Sequence, residues 1–167
     1  MSYLTEPLDS KHDKENFSCG IKSVENRLWK EGAQGVKSQL STCFEKDNKE
    51  TEKISGYYTL SSSNISQNLI PDSFKKKLPK SYLSIPTILL GRLAIDKEFQ
   101  GRGLGKILLI DALKRCCDTS ESIGAYAVIV DPLDKEAEKF YEKYGFIKLP
   151  DSGKMFIPIK TIKELFE

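Results

Sequence analysis

Three glycines fall within five residues in Gln100-Gly101-Arg102-Gly103-Leu104-Gly105, and no other segment restricts the fold of this chain as much. The segment lies between an apolar run, Thr87–Ile95, and a helical pattern that reaches about Asp118. Glycine lets the backbone enter left-handed conformations and lets a ligand approach the main chain closely. The first turn of the helix that follows would present unpaired N–H groups and the positive end of the helix dipole, a setting that favours phosphate. Arg102 and Lys106 add positive charge. A simple strand-to-helix turn seldom needs three glycines, so the context predicts anion binding. No Gly-Lys-Ser/Thr closes the segment, which excludes a Walker A loop. The spacing of Gly101, Gly103 and Gly105 does not fit GxGxxG, and no acidic residue stands where a dinucleotide site would need one.

The rest of the chain supplies the elements around that turn. A short strand is expected around Tyr3–Leu4. Ile21, Val24, Leu28 and Trp29 fall on one helix face. Ser41–Glu45 and Ile54–Ser61 read as a hairpin, with the adjacent Tyr57 and Tyr58 placing one ring in the core and one toward an acceptor groove. Residues 62–80 are rich in Ser, Asn, Lys and Pro and read as a loop with one helical turn near Phe74. The unbroken apolar character of Thr87–Ile95 predicts a strand buried on both faces. In the helix after the glycines, Leu109, Ala112, Leu113, Cys116 and Cys117 share an apolar face. Asp111, Lys114, Arg115 and Asp118 form a polar one. Ala125–Val130 reads as a strand and Asp134–Tyr144 as a helix ended by Gly145. Phe146–Lys148 and Lys154–Ile159 read as closing strands, and Thr161–Phe166 as a tail. This order predicts an α/β fold: a mixed central sheet of about six to seven strands with helices on both faces.

At 167 residues the chain has the length of one domain, residues 1–167. No apolar run approaches the length of a membrane span, and no apolar leader opens the sequence, so a cytoplasmic protein is expected. The net charge of +2 conceals an asymmetry: residues 75–115 carry ten Lys/Arg against three Asp/Glu. Such a stretch is either a solvated basic face or a surface for an anionic partner. Cys19, Cys43, Cys116 and Cys117 show no metal-ligand spacing, and His12 is the single histidine, so no metal is expected and the thiols read as small core apolars.

Gln100, Gly103 and Gly105 resemble the Gln/Arg-x-x-Gly-x-Gly/Ala motif of the GNAT (GCN5-related N-acetyltransferase) family. Gly91-Arg92-Leu93-Ala94-Ile95-Asp96 is similar to that family's splayed strand. Ala137-Glu138-Lys139-Phe140-Tyr141-Glu142-Lys143-Tyr144-Gly145-Phe146 matches its Ala-x-x-Phe-Tyr-x-x-x-Gly-Phe segment. Phe17-x-Cys19-Gly20, Leu90-Gly91-Arg92-Leu93-Ala94 and Asp131-Pro132-Leu133-Asp134 resemble a subgroup that includes acetyltransferase toxins of toxin–antitoxin pairs. The resemblance covers nearly the whole chain.

The resemblance implies acetyl-CoA as cosubstrate. It assigns the pyrophosphate to Gln100, Gly101, Arg102, Gly103, Leu104, Gly105 and Lys106, and the pantetheine arm to the backbone of Leu93, Ala94 and Ile95, with Asp134 and Phe140 also on the cofactor side. Tyr141 is implied as the general acid toward the CoA sulfur. Asp134 stands where many members carry Asn and is also placed to cap its helix. No Glu or His lies on Thr87–Ile95, where many members place a general base. A lysine amine would arrive mostly charged, whereas an α-amine of pKa about 7.7–8.0 is roughly a tenth neutral at pH 7. That favours an α-amine acceptor, and the subgroup suggests aminoacyl-tRNA, an antitoxin partner and a homodimer. Lys75, Lys76, Lys77 and Lys80 are candidates for tRNA phosphates. A small-molecule or peptide N-acetyltransferase and a non-catalytic acyl-CoA-binding module are the alternatives; Tyr141 speaks against the last, since pure binding needs no acid at sulfur.

Overall fold

A computed structural model describes residues 3–8, 17–20, 42–48 and 53–167, with 42–48 described by their backbone. The expected helix through Ile21–Trp29, and His12, lie outside the described residues. Two compact units divide the chain: Met1–Ser61 with Leu90–Arg115, and Ser62–Leu89 with Cys116–Glu167. Strands β3 (Lys53–Ser66) and β4 (Ser84–Ile95) and helix α2 (Leu104–Ser120) contribute residues to both.

In the first unit the strand order is β1 (Glu6–Pro7), β2 (Thr42–Asn48), β3, β4. The expected hairpin is present, with β2 and β3 antiparallel and the register shifted between Lys46 and Asp47. The N-terminal strand falls at Glu6–Pro7, antiparallel to β2, rather than at Tyr3–Leu4. Tyr3 and Leu4 are held by side chains of α2 instead of by a strand partner. Tyr57 and Tyr58 point to opposite sides of β3, yet both are buried, so neither ring lines an open groove. Phe17 meets Tyr57 edge-on at 5.3 Å in a cluster with Ile54 and Ala94. The apolar face expected of α2 is in place from Leu108 through Leu113. Where β3, β4 and α2 approach, Gly56 leaves no room for a side chain. A Cβ there would stand 2.7 Å from Leu108 Cδ1 and 2.9 Å from the Ala94 carbonyl oxygen.

In the second unit the order is β3, β4, β5 (Ala127–Val130), β7 (Met155–Pro158), β6 (Ile147–Lys148). β4 runs parallel to β5, while β5–β7 and β7–β6 are antiparallel, which makes the sheet mixed. Counting the two-residue β1 and β6, seven strands occur among the described residues; five of them have four residues or more. Ile65, Ile70, Ile85, Ala127, Ile129, Leu149 and Phe156 form the core here. Cys116 and Cys117 are buried as small apolar groups, and burial pushes the Cys116 thiol up to about 12.

Three further expectations are corrected. Residues 62–66 continue β3 instead of forming a loop. Their composition is polar, but Ile65 is buried while Ser62, Asn64 and Ser66 are exposed, which is the two-residue period of a strand. A 3-10 turn (Gln67–Leu69) and a single helical turn, α1 (Asp72–Lys75), follow, the latter at the expected Phe74. Thr87–Ile95 is not buried on both faces: Ile88, Leu89, Leu93 and Ile95 are only half-buried. The expected tail is helix α4 (Ile159–Phe166), because Ile159 and Ile162 sit one turn apart and bury together.

Gly56→Ala is expected to destabilise the protein by about 1–3 kcal/mol, since a backbone carbonyl cannot move aside as a side chain can. Gly124→Ala, with nothing within 4 Å of the new methyl, should stay within about 0.5 kcal/mol of the parent. Urea unfolding of the two variants reads the difference.

Candidate active site

In the first unit, β4 ends at Ile95 and is followed by Asp96, whose side chain is buried among its partners. Its Oδ1 accepts the Glu98 N–H at 3.0 Å and caps the 3-10 turn Lys97–Phe99. Its Oδ2 accepts the Ser18 N–H at 2.9 Å, and the Lys97 N–H donates to the Ser18 carbonyl at 2.7 Å. Lys53 Nζ stands 3.6 Å from Asp96 and 3.2 Å from Glu98. The Phe17-Ser18-Cys19-Gly20 segment is therefore tied to the end of β4 by both strands of hydrogen bonding. Only one local signal in the sequence marks this role of Asp96, an Asp two residues before a Glu at a strand end, a capping pattern.

Gln100 completes the tie. Its Nε2 donates to the Ile95 carbonyl at 2.9 Å and to the Cys19 carbonyl at 3.0 Å. The side chain thus braces the start of the glycine segment. Beyond it, Gly101 and Gly103 take φ of +77° and +76°, the left-handed region where a side chain is strained, although nothing within 4 Å would obstruct a Cβ. Both are exposed, and α2 begins at the buried Leu104. The Ile107 N–H makes the first helical bond, to the Gly103 carbonyl at 3.3 Å. The earlier N–H groups of α2 have no acceptor within the helix, and no acidic residue occupies its first turn. Arg102 and Lys106 are exposed, with the Arg102 guanidinium 5.6 Å from the Phe99 ring centre. The open left-handed turn, the unpaired amides and the two cations form a cradle that suits a diphosphate. Leu93, Ala94 and Ile95 lead into it on the same unit.

A second array in this unit was not legible as such. Asp111, expected on the polar face of α2, is buried. Its Oδ2 accepts the hydroxyls of Thr5 and Tyr58, the latter at 2.6 Å, and its Oδ1 accepts the Leu4 N–H at 2.7 Å. Arg115 Nε donates to the Tyr58 oxygen at 2.8 Å and Nη2 to the Thr5 carbonyl at 2.8 Å, while the guanidinium lies 3.7 Å over the Tyr3 ring. Burial and the Asp111 carboxylate hold the Tyr58 phenol well above its ordinary range. These bonds fasten residues 3–5 to α2.

The second unit holds the other candidates. Asp134 caps helix α3 (Lys135–Lys143): its Oδ1 accepts the Ala137 N–H at 2.8 Å. Glu136 and Glu138 in the first turn favour the positive end of that helix. Gly145, at φ +96°, ends it as expected. Tyr141 is buried, with its ring edge-on to Phe140 at 5.3 Å and to Phe146 at 5.2 Å. Its hydroxyl has no hydrogen-bond partner among the described residues, and burial alone pushes it up to about 12. The phenol therefore keeps its proton at neutral pH and has it free to donate.

Because unfolded tyrosine ionises near 10 and Tyr141 near about 12, the unfolded chain loses this proton first. The contribution of Tyr141 to stability should be intact below about pH 10 and disappear as pH rises toward 12. Phenolate absorbance of the folded protein, compared with Tyr141→Phe, should show one fewer late-titrating tyrosine in the variant.

Comparison with known proteins agrees with these features. The profile of the acetyltransferase (GNAT) domain matches residues 41–148. The chain is 32% identical to a probable toxin TacT of Sinorhizobium fredii, over 97% of this chain and 94% of that protein. It is 35% identical to a tRNA-acetylating toxin of Mycobacterium tuberculosis, over 80% and 78%. Among solved structures, AtaT complexed with acetyl-methionyl-tRNAfMet superposes with a TM-score of 0.88 at 30% identity, over 99% of this chain and 100% of that one. AtaTR bound with AcCoA superposes at 0.85 with 31% identity, over 98% and 97%. A mixed α/β sheet, a braced glycine turn at a helix start and a profile spanning most of the sequence converge on one conclusion: this chain belongs to the GNAT acetyltransferase family and is an acetyl-CoA-dependent N-acetyltransferase.

Proposed function

We propose that this protein transfers the acetyl group of acetyl-CoA to the α-amine of an aminoacyl-tRNA, as a toxin held in check by an antitoxin, in the cytoplasm. The observation that carries the substrate is the near-complete superposition on AtaT in complex with acetyl-methionyl-tRNAfMet, joined to 35% identity with a tRNA-acetylating toxin. Among the described residues, no helix is long and apolar enough to cross a membrane, which is compatible with that location.

Acetyl-CoA, when bound, supplies an activated thioester. The residues of the chain do the rest. The amides of Gly101, Gly103, Leu104 and Gly105, with Arg102 and Lys106, would hold the pyrophosphate; the open left-handed turn supports this. Gln100 serves by bracing that turn through the Ile95 and Cys19 carbonyls. The backbone of Leu93, Ala94 and Ile95 would align the pantetheine arm and polarise the carbonyl. Phe140 would pack on the cofactor side. Asp134 contributes by capping the helix that carries Tyr141. The neutral amine forms its N–C bond as the C–S bond breaks; the amine proton leaves to solvent, and Tyr141 gives its proton to the departing sulfur. No strong base is required, because an α-amine is partly neutral at pH 7.

Mass spectrometry of a charged total tRNA pool, incubated with the protein and acetyl-CoA, tests the reading. Acetylated aminoacyl-adenosine after nuclease digestion is the expected product, and an unmodified pool would overturn the substrate. Tyr141→Phe should keep acetyl-CoA affinity while turnover drops about 100-fold; unchanged turnover would remove Tyr141 from the acid role. Gly103→Val forces a branched side chain into φ +76° and should weaken acetyl-CoA binding without abolishing folding. Calorimetric titration with acetyl-CoA reads this loss.

A further inference from the structure

We propose that the segment from Gln67 to Pro86 in the second unit is a preformed cationic ledge that takes the phosphate backbone of the tRNA body. The inference rests on the aminoacyl-tRNA reading above. This stretch contains Lys75, Lys76, Lys77 and Lys80 against a single acid, Asp72. Among the described residues none of the four ammonium groups has an ion pair or a hydrogen bond, whereas Lys53, Lys148 and Lys163 each have a carboxylate within 4.0 Å. Unpaired like charges concentrated on one short segment repel one another, and a polyanion relieves that repulsion.

The ledge is held in shape rather than left as a loose tail. Phe74 lies edge-on to Phe156 at 5.3 Å, and Leu78 packs on the same core. With positions 74 and 78 drawn inward, Lys76 and Lys77 between them are exposed. Gln67 then clasps the far end: its Nε2 donates to the Pro79 and Tyr82 carbonyls, each at 3.0 Å, and its N–H to the Leu83 carbonyl at 2.9 Å. That clasp sets Lys80 within a fixed turn and leaves the Tyr82 ring 56% exposed beside it. Cations with an adjoining open aromatic face are the combination that binds a nucleic-acid strand, phosphates on the lysines and a sugar or base on the ring. Fixing the segment in advance removes the ordering cost that a flexible basic tail would meet on binding.

The test uses the full chain, with uncharged tRNA and aminoacyl-tRNA as probes and vesicles of phosphatidylserine with phosphatidylcholine as a competing anionic surface. The quadruple variant Lys75→Gln, Lys76→Gln, Lys77→Gln, Lys80→Gln should bind uncharged tRNA about 10- to 100-fold more weakly. Between about 50 and 200 mM salt its dependence of log Kd on log salt should flatten by about 2–3. In acetylation of aminoacyl-tRNA the loss should fall on KM, with kcat and acetyl-CoA affinity kept. Tyr82→Ala should weaken tRNA binding about 5-fold or more with an unchanged salt slope. A quadruple variant with parental affinity, slope and KM would overturn the ledge while leaving acetyl transfer to aminoacyl-tRNA intact. Loss of vesicle binding with tRNA binding unchanged would overturn it in favour of a membrane surface. A parent protein that binds uncharged tRNA through these lysines but leaves aminoacyl-tRNA unacetylated would instead overturn the substrate and keep the ledge.

Discussion

Asp96 is a carboxylate buried at the end of the strand that leads into the glycine turn, and its two oxygens face two different segments. A buried charge of this kind persists only with several donors around it, and here two N–H groups and the Lys53 ammonium supply them. Because each donor belongs to a different stretch of chain, satisfying Asp96 fixes the Ser18 segment and the 3-10 turn Lys97–Phe99 at once. The glycine turn begins one residue later. Gln100, with both carbonyl contacts made, can then direct Gly101 and Gly103 outward. The cradle depends on this anchoring, since a turn of left-handed glycines has little stiffness of its own.

Tyr141 illustrates how one environment can pack a ring and leave its hydroxyl proton uncommitted. Its ring belongs to an aromatic group with Phe140 and Phe146, and its neighbours on helix α3 are set by the Asp134 cap and the Gly145 stop. Burial keeps the phenol protonated, and the absence of a hydrogen-bond partner among the described residues leaves the proton uncommitted. A tyrosine serving the core alone would more often spend its hydroxyl on a neighbour, as Tyr58 does on Asp111.

Legibility followed local pattern. Helix α3 was readable because a cap, an apolar stripe and a terminal glycine all stand in sequence order. The apolar face of α2 was readable from its spacing, and the glycine turn from its density of glycines. What could not be read were features made by residues far apart in the chain. Asp111 shares a helical face of α2 with Lys114, Arg115 and Asp118, and only the arrival of Thr5 and Tyr58 makes its burial tolerable. The polar run after Ser61 resembled a loop because its strand character comes from pairing, with Ile65 alone to mark the inward face. Helix α4 looked like a tail because the two isoleucines that bury it are too few to establish a period.

The amino-acid sequence alone determined the order of elements from β4 to β7, the position of the glycine turn and the family motifs at Gln100–Gly105 and Ala137–Phe146, because each is written in contiguous residues whose preferences act locally. Tertiary structure decided which polar groups are buried and bonded: Asp96 with Ser18 and Lys53, Asp111 with Thr5 and Tyr58, Arg115 with Thr5 and Tyr58, and Gln100 with Cys19. The reason is energetic. A buried polar group is costly until its partner is present, and those partners lie as far as 110 positions away, where no local preference reaches.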